Sequence, residues 1–232
     1  MIALNLKYYF SASLLIGLNG LYTPVWAKSV VNYQKDSVVA YFSQRSEGKS
    51  TTAATPQENG YYRVYLGQDA KGYWVQDFYQ NTKTKQSDPF QLKDVEDIPS
   101  SASRSMFGSI KEYYASGAVV NDLRLDSDGN FLSLKSYRPN GKILSEYLHD
   151  SETDHVQVKY WYNNRIRALD MELQGDEIVR YQAWRDNAQA IPKAVCFINK
   201  SLESRRVDDE CMRLYLKLSG EYAELGNHQY RY

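Results

Sequence analysis

The chain has 232 residues, a formal net charge of zero, and 21 tyrosines beside 7 phenylalanines and 4 tryptophans. The neutral balance excludes a global field that would attract nucleic acid or an anionic membrane, and no basic run provides a local groove for single strands. The tyrosine excess is typical of half-buried strand faces, with a sugar- or base-stacking surface as the alternative.

The first 27 residues have the pattern of a signal peptide. Lys7 ends a short n-region, residues 8–21 are mostly apolar, and small residues at Val25 and Ala27 suit cleavage after Ala27. A retained membrane anchor is the alternative, but the apolar stretch is shorter than a bilayer span. We therefore predict a periplasmic or secreted protein.

Residues 28–105 predict an N-terminal β segment with loops. Strand-like runs at Val38–Phe42, Tyr61–Leu66 and Tyr73–Tyr79 are interrupted by a Ser/Thr/Gly/Gln-rich loop at residues 43–60. Asp88-Pro89-Phe90 predicts a break in the strand ladder, because proline cannot donate to a central strand. The polar residues 94–105 then form the expected seam with the next segment.

Residues 106–190 predict repeated hairpins. Gly117, Gly129 and Gly141 recur at intervals of 12 residues, each in a polar turn after a strand-like run. Between turns, apolar and polar residues alternate, which indicates antiparallel strands with one buried face. The predicted fold is therefore mainly β, an elongated antiparallel meander of repeated hairpins.

The later turns are expected to keep this rhythm with other residues. Asn164 stands where a glycine is expected, and asparagine is the non-glycine residue that best tolerates the left-handed conformation. Gly175 and Asn187 continue at about the same interval.

Residues 191–232 predict a C-terminal cap held by a disulfide. Export places the chain in an oxidising compartment, and its two cysteines permit one internal pairing, Cys196 with Cys211. A redox or metal pair is the alternative, although the spacing is not CxxC and no histidine flanks either cysteine.

The secondary structure of this cap is less clear from the sequence. Leu214, Leu216 and Leu218 alternate with other residues, which favours a last strand over a helix in residues 201–225. The disulfide would then connect this strand to residues 194–198 as a hairpin that protects the edge of the sheet.

The clearest copy of the repeat is Tyr137-Arg138-Pro139-Asn140-Gly141-Lys142-Ile143, with related copies that begin at Tyr113 and Tyr160. These segments resemble the bacterial MORN-like repeat family, whose unit has an aromatic pair, a polar residue, Asn-Gly-Lys and an apolar residue before a strand. Such chains are often labelled as YwqK-type antitoxins, and this one resembles an exported member over residues 38–187. The resemblance implies an architecture, and only weakly a link to lipids or protein assembly.

Two polar segments resemble metal sites. Asp126-Ser127-Asp128-Gly129-Asn130 looks like the start of a calcium loop, but its twelfth position is Tyr137 instead of glutamate, so a hairpin turn is the preferred interpretation. His149 and His155 lie among three carboxylates. Their six-residue spacing does not place both histidines on one face of a helix, as a helical metal site requires, so a solvated turn is expected. We predict no metal and no cofactor.

The sequence favours a non-enzymatic protein. It contains no GxSxG, HExxH, P-loop or dinucleotide motif, and only three histidines. A hydrolase remains as an alternative, because a pair of carboxylates assembled across strands leaves no spacing in the sequence.

The leading prediction is an interaction or scaffold module of the cell envelope that binds an envelope protein. Tyr147, Trp161 and Trp184 are the candidate anchors on the polar face, since large amphipathic rings dominate interface energetics. Ordinary packing against the C-terminal tail is the alternative role for these rings. An envelope lipid or glycan binder would need an open aromatic face lined by Lys or Arg, and a hydrolase would need two carboxylates converging in a pocket.

Overall fold

The computed structural model describes residues 32–43, 50–101, 104–175, 177–192, 195–196 and 210–228, and the predicted signal peptide lies outside these ranges. The described residues contain a short 3₁₀ helix, Val95–Asp97, a C-terminal helix, α1 (Glu210–His228), and twelve strands. The strands are β1 Ser37–Phe42, β2 Thr52–Ala53, β3 Tyr61–Asp69, β4 Gly72–Tyr79, β5 Phe90–Leu92, β6 Met106–Tyr113, β7 Val119–Leu125, β8 Phe131–Tyr137, β9 Ile143–Asp150, β10 His155–Trp161, β11 Arg167–Gln174 and β12 Glu177–Ala183.

All twelve strands belong to one antiparallel open sheet. From β3 to β12 each strand lies beside its neighbours in sequence, while β1 pairs with β3 and β2 forms the far edge. This confirms the predicted meander of consecutive hairpins. Within the described residues, no helix is long and apolar enough to cross a membrane.

The strand ladder does not break at Asp88-Pro89-Phe90, so that prediction was wrong. β5 begins at Phe90 and pairs with β4 on one side and β6 on the other. Pro89 precedes the first residue of this strand, where its missing N–H removes no ladder bond. The sheet therefore continues from the N-terminal segment into the repeats.

Five turns share one backbone pattern. The first residue donates its N–H to the carbonyl four residues later, and the fourth residue donates back to the first; the turns begin at Tyr114, Asp126, Arg138, Tyr162 and Arg185. The fourth residue has a positive φ in every case, at Gly117, Gly129, Gly141, Arg165 and Ala188. This is a three-residue hairpin loop with a bulge next to it.

The predicted positions of Asn164 and Asn187 are therefore wrong by one residue. Arg165 and Ala188 adopt the left-handed conformation, with φ of 72° and 68°. The Asn164 side chain instead accepts the N–H of Ile166 at 3.0 Å, as Asn140 does from Lys142 in the earlier turn. This places asparagine at the third position of the turn.

The C-terminal cap is a helix, and the predicted last strand is wrong. Cys211, Tyr215 and Leu218 are buried at helical spacing, whereas Leu216, which the alternation places with the buried leucines, is 48% exposed. The predicted disulfide between Cys196 and Cys211 is confirmed and joins the first turn of α1 to the chain that follows β12.

α1 covers one face of the sheet at its C-terminal end, which we call the covered face. Its buried side chains share a core with residues from β9 to β12, including Val158, Tyr160, Leu169 and Met171. The opposite side of the repeat sheet is called the open face. Successive strand residues alternate between the two faces.

A second core lies under the N-terminal strands, around Val75, Leu92 and Ile98. Arg63 is buried here, with Nε 2.7 Å from Oδ1 of Asp77, and it also donates to the carbonyl of Ile98. The Arg63 guanidinium therefore attaches the segment after β5 to the sheet through the carbonyl of Ile98, while Asp77 neutralises its charge.

Candidate functional site

A four-residue segment recurs where strands end, and we call it the strand-end motif. Its copies begin at Lys111, Lys135, Lys159 and Gln182, and they have the sequences KEYY, KSYR, KYWY and QAWR. The first residue is Lys or Gln, the third is aromatic, and the fourth is Tyr or Arg. The motif thus returns every two strands.

The fourth residue of the motif connects one copy to the next. The Tyr114 hydroxyl donates to the carbonyl of Tyr137 at 2.6 Å, and the Tyr162 hydroxyl donates to the carbonyl of Trp184 at 2.7 Å. Between them, the Arg138 guanidinium donates to the carbonyl of Trp161 at 2.8 Å. Each acceptor is the third residue of the following copy, so neighbouring turns have a fixed position relative to each other.

Helix α1 is held by the fourth residues of two copies. Arg185, in the last described copy, donates to both carboxylate oxygens of Glu210 at 3.1 and 3.2 Å. Arg138 donates to both oxygens of Glu221 at 2.6 and 3.1 Å. Eleven helical residues span about 16 Å, which is close to the roughly 19 Å of the four strand spacings between these turns.

The first residues of the motif contribute to a row of alternating charge on the open face, which we call the charged row. Its six members are paired in register across β6 to β11: Lys111, Asp122, Lys135, Glu146, Lys159 and Asp170. The Lys135 ammonium lies 3.1 Å from Glu146, and that of Lys159 lies 3.9 Å from the same carboxylate. The row therefore has no net charge.

The third residues of three copies form what we call the aromatic column: Tyr137, Trp161 and Trp184. All three are half-buried side chains on the open face, two residues beyond the charged row. Because each lies two strands from the next, successive rings are about 10 Å apart. The equivalent Tyr113 is buried, with the Lys85 ammonium 3.9 Å from its ring centroid and its hydroxyl donating to Asp88.

The structure separates the three predicted anchors. Trp161 and Trp184 lie on the open face, opposite α1, whereas Tyr147 lies on the covered face. Tyr147 contacts Phe131 edge to face, with ring centroids 5.4 Å apart, and burial raises the pKa of its hydroxyl. Tyr147 therefore packs against the core that contains the C-terminal helix, whereas the two tryptophans lie on the other side of the sheet.

Sequence reasoning missed Tyr137 as a member of the column, and it missed the charged row altogether. The signal for both was the recurrence of Lys-x-aromatic in three of the four strand-end motifs. This recurrence was overlooked because the sequence was divided at the 12-residue spacing of the turn glycines, whereas the motif repeats at about twice that interval.

The calcium-like segment is a hydrogen-bonded turn. Oδ1 of Asp126 accepts the N–H groups of Asp128 and Asn130, each at 2.8 Å, and the Asn130 amide donates to the other oxygen. Chiefly through the Asn130 side chain, these bonds lower the pKa of Asp126. The carboxylate thus serves as an acceptor within its own turn.

His149 and His155 lie on opposite faces of the sheet. They occupy successive register pairs of β9 and β10, where His149 is opposite Val156 and His155 is opposite Asp150. Nδ1 of His149 lies 3.0 Å from the carbonyl of Phe131. Over the described ranges, three or more His, Cys, Asp or Glu side chains do not gather in a way that could hold a metal ion.

Compared with family models and with the curated proteins, the chain gives no match. The fold and the site define a class, a repeat-built β-sheet protein with one face covered by a helix at its C-terminal end and the other lined there by rings and alternating charges. Its function has to be inferred from the geometry of that open face.

Proposed function

We propose that this protein is a non-enzymatic binding module of the cell envelope that holds its partner on the open face. The aromatic column beside the charged row is the observation that carries this proposal. Half-exposed rings next to polar groups provide both apolar contact area and hydrogen bonds, which is the composition of binding surfaces. On the covered face, by contrast, the equivalent area is occupied by α1.

A location outside the cytoplasm is part of the proposal. The disulfide between Cys196 and Cys211 joins α1 to the end of the sheet, and such bonds persist in oxidising compartments. An oxidising compartment outside the cytoplasm also agrees with the signal peptide expected in the first 27 residues. The recurrence of the strand-end motif likewise supports our proposal that the chain is an exported member of the MORN-like family.

The charged row argues for a binding surface over the alternatives. Lys135 and Lys159 both contact Glu146, so the row lacks the basic character that an anionic lipid surface requires. Asp122, Glu146 and Asp170 are separated from one another by a lysine and about 10 Å. Carboxylates spread along an open sheet do not form the pocket that a hydrolase requires.

Co-sedimentation with isolated cell-envelope material tests this proposal. The protein secreted by an expressing cell should sediment with the envelope, and a Tyr137→Ser, Trp184→Ser variant should stay in solution. Lys71→Ala, in the exposed turn between β3 and β4, is the matched control and should sediment like the parent. Circular dichroism and thermal melting establish that both variants are folded. Sedimentation of the folded double variant at the parental level, or no sedimentation of the parent, contradicts the proposal.

A further inference from the structure

We infer that the ligand of the open face is a neutral β-1,4-linked glycan chain, an inference that rests on the proposed function. The first argument is the period of the aromatic column. Tyr137, Trp161 and Trp184 are each two strands apart, and therefore about 10 Å. This is close to the length of one disaccharide unit in such a glycan, so every second sugar meets a ring.

The rings suit the sugars chemically. A pyranose ring presents an apolar C–H face to an indole or phenol, and its hydroxyls stay at the rim, so each partner keeps its polar groups in contact with water or protein. Three rings at this period accept a chain of about five sugars. Strand twist turns successive rings by roughly 45°, which favours a soluble, twisted chain over a flat crystalline surface.

The charged row provides the polar half of the site. Lys135 and Tyr137 lie two residues apart on the same face of β8, as do Lys159 and Trp161 on β10, so the row lies about 7 Å from the column. Ammonium donors and carboxylate acceptors alternate along it, and a sugar hydroxyl both donates and accepts. Lys135, beside Tyr137, is the accessible end at 46% exposure, whereas Glu146 and Lys159 are each 17% exposed. A polyanionic chain would instead meet the carboxylates of the row.

A proline-rich peptide is the competing ligand, since a polyproline II turn is about 9 Å long. Prolines carry no N–H, so such a peptide offers mainly acceptors. It would compete with Glu146 for Lys135 and Lys159, which lie 3.1 and 3.9 Å from that carboxylate, and would offer the carboxylate no donor in return. The alternation of charge therefore favours a chain of hydroxyls.

The neighbours of the column define its extent. Tyr113 is covered by Lys85, so the site begins at Tyr137 and ends at Trp184. The Arg167 guanidinium lies 5.4 Å from the ring centroid of Trp161. Its Nη1 donates to Oδ2 of Asp170 at 2.9 Å, and the remaining N–H groups of this side chain, which is 42% exposed, can donate to a sugar hydroxyl beside the ring.

Calorimetric titration of the secreted protein with cellohexaose and chitohexaose tests the inference, with α-1,4-linked maltohexaose as the control ligand. We expect the β-1,4-linked chains to bind more tightly than maltohexaose, with affinity rising from the disaccharide to about five or six sugars and then levelling. Tyr137→Ala and Trp184→Ala should each weaken binding by roughly threefold to tenfold. Lys71→Ala should bind like the parent.

The inference would be overturned by the absence of binding by both β-1,4-linked chains, by equal binding of maltohexaose, or by binding that the folded ring variants leave unchanged. A proline-rich decapeptide that binds the open face in place of the glycans would also overturn it. In that case loss of co-sedimentation in the Tyr137→Ser, Trp184→Ser variant would still support the proposed function, so the two failures are distinguishable.

Discussion

Arg138 and Glu221, which are 83 residues apart in the sequence, form a two-point ion pair between a hairpin turn and α1. The same guanidinium donates to the carbonyl of Ile143 within its own hairpin and to that of Trp161 in the next copy of the motif. One buried side chain therefore joins two repeats and the helix.

Replacement of Arg138 by alanine should destabilise the protein strongly. Its side chain is only 6% exposed, and its loss removes donors from two carbonyls and one carboxylate. We expect a decrease of about 3 kcal/mol in the free energy of unfolding, measured with urea. Glu221→Ala should also cost about 2 kcal/mol, because it leaves the guanidinium, which is only 6% exposed, without its counter-ion. A loss below 1 kcal/mol for Arg138→Ala would show that the pair does not hold α1.

Removal of the Tyr162 hydroxyl should weaken the link between two turns. Burial raises the pKa of Tyr162, so the hydroxyl stays protonated and donates to Trp184. Tyr162→Phe should lower the free energy of unfolding by about 1 kcal/mol. Tyr137→Phe, on the open face, is the control and should change it by less than about 0.5 kcal/mol. Equal effects of both substitutions would contradict the linking role.

Glycine at position 165 should stabilise the turn. Arg165 has a φ of 72°, a conformation that disfavours a residue with a Cβ atom. We expect Arg165→Gly to raise the free energy of unfolding by about 0.5 to 1 kcal/mol. The reverse change, Gly141→Ala, should lower it by about 1 kcal/mol, because a Cβ there meets nothing within 4 Å and only the φ of 74° opposes it. Effects of the same sign would contradict the assignment of these turns.

Reduction of the disulfide should loosen α1. In the chain-entropy model the loop between Cys196 and Cys211 contributes about 3 kcal/mol, and both cysteines are buried in the core that the helix closes. Dithiothreitol should lower the melting temperature and speed hydrogen exchange in α1 before β10 and β11. A Cys196→Ala, Cys211→Ala variant should show the same loss without reductant and no further change with it. Faster exchange spread evenly over the sheet would argue against a local role.

The contribution of Asp126 should disappear in acid. Hydrogen bonds, first that from Asn130, lower its pKa in the folded protein below the unfolded value of about 3.9. Its stabilisation is therefore complete above the unfolded pKa and is lost as the pH falls through the folded pKa. Asp126→Ala should be less stable than the parent at neutral pH, and the difference should shrink as the pH falls through the folded pKa. Asp128→Ala, in the same turn but 78% exposed, should show a smaller difference at neutral pH.

The sheet was predictable because its signals are local. Glycines such as Gly117 and Gly129 mark the turns, and alternation in strands such as β10 identifies one buried face. The turn that begins at Tyr162 was assigned one residue early, because Tyr160, Trp161 and Tyr162 permit two alignments of an aromatic pair. Only the contact of the Tyr162 hydroxyl with the next repeat selects between them.

The helix and the open face depend on contacts between distant residues. In α1, Leu214, Leu216 and Leu218 alternate as in a strand, and the helical spacing of Cys211, Tyr215 and Leu218 is equally present. The helical arrangement is favoured in the folded protein because it places Cys211, Tyr215 and Leu218 together against the apolar residues of the covered face. The charged row is likewise set by the register of six strands, which no local pattern contains.

The hydrogen bond from the fourth residue of each copy to the third residue of the next also bears on how such a protein changes in evolution. An inserted 24-residue copy next to the Arg138 copy could join the chain of links. Its fourth residue would donate to the carbonyl of the following copy, and its third residue would accept from the preceding one, as Tyr114 donates to Tyr137 now. Duplication within the gene can thus lengthen the array while its two ends are kept. The number of rings on the open face would grow with each added copy, so the number of repeats would set the length of the proposed ligand that the protein contacts.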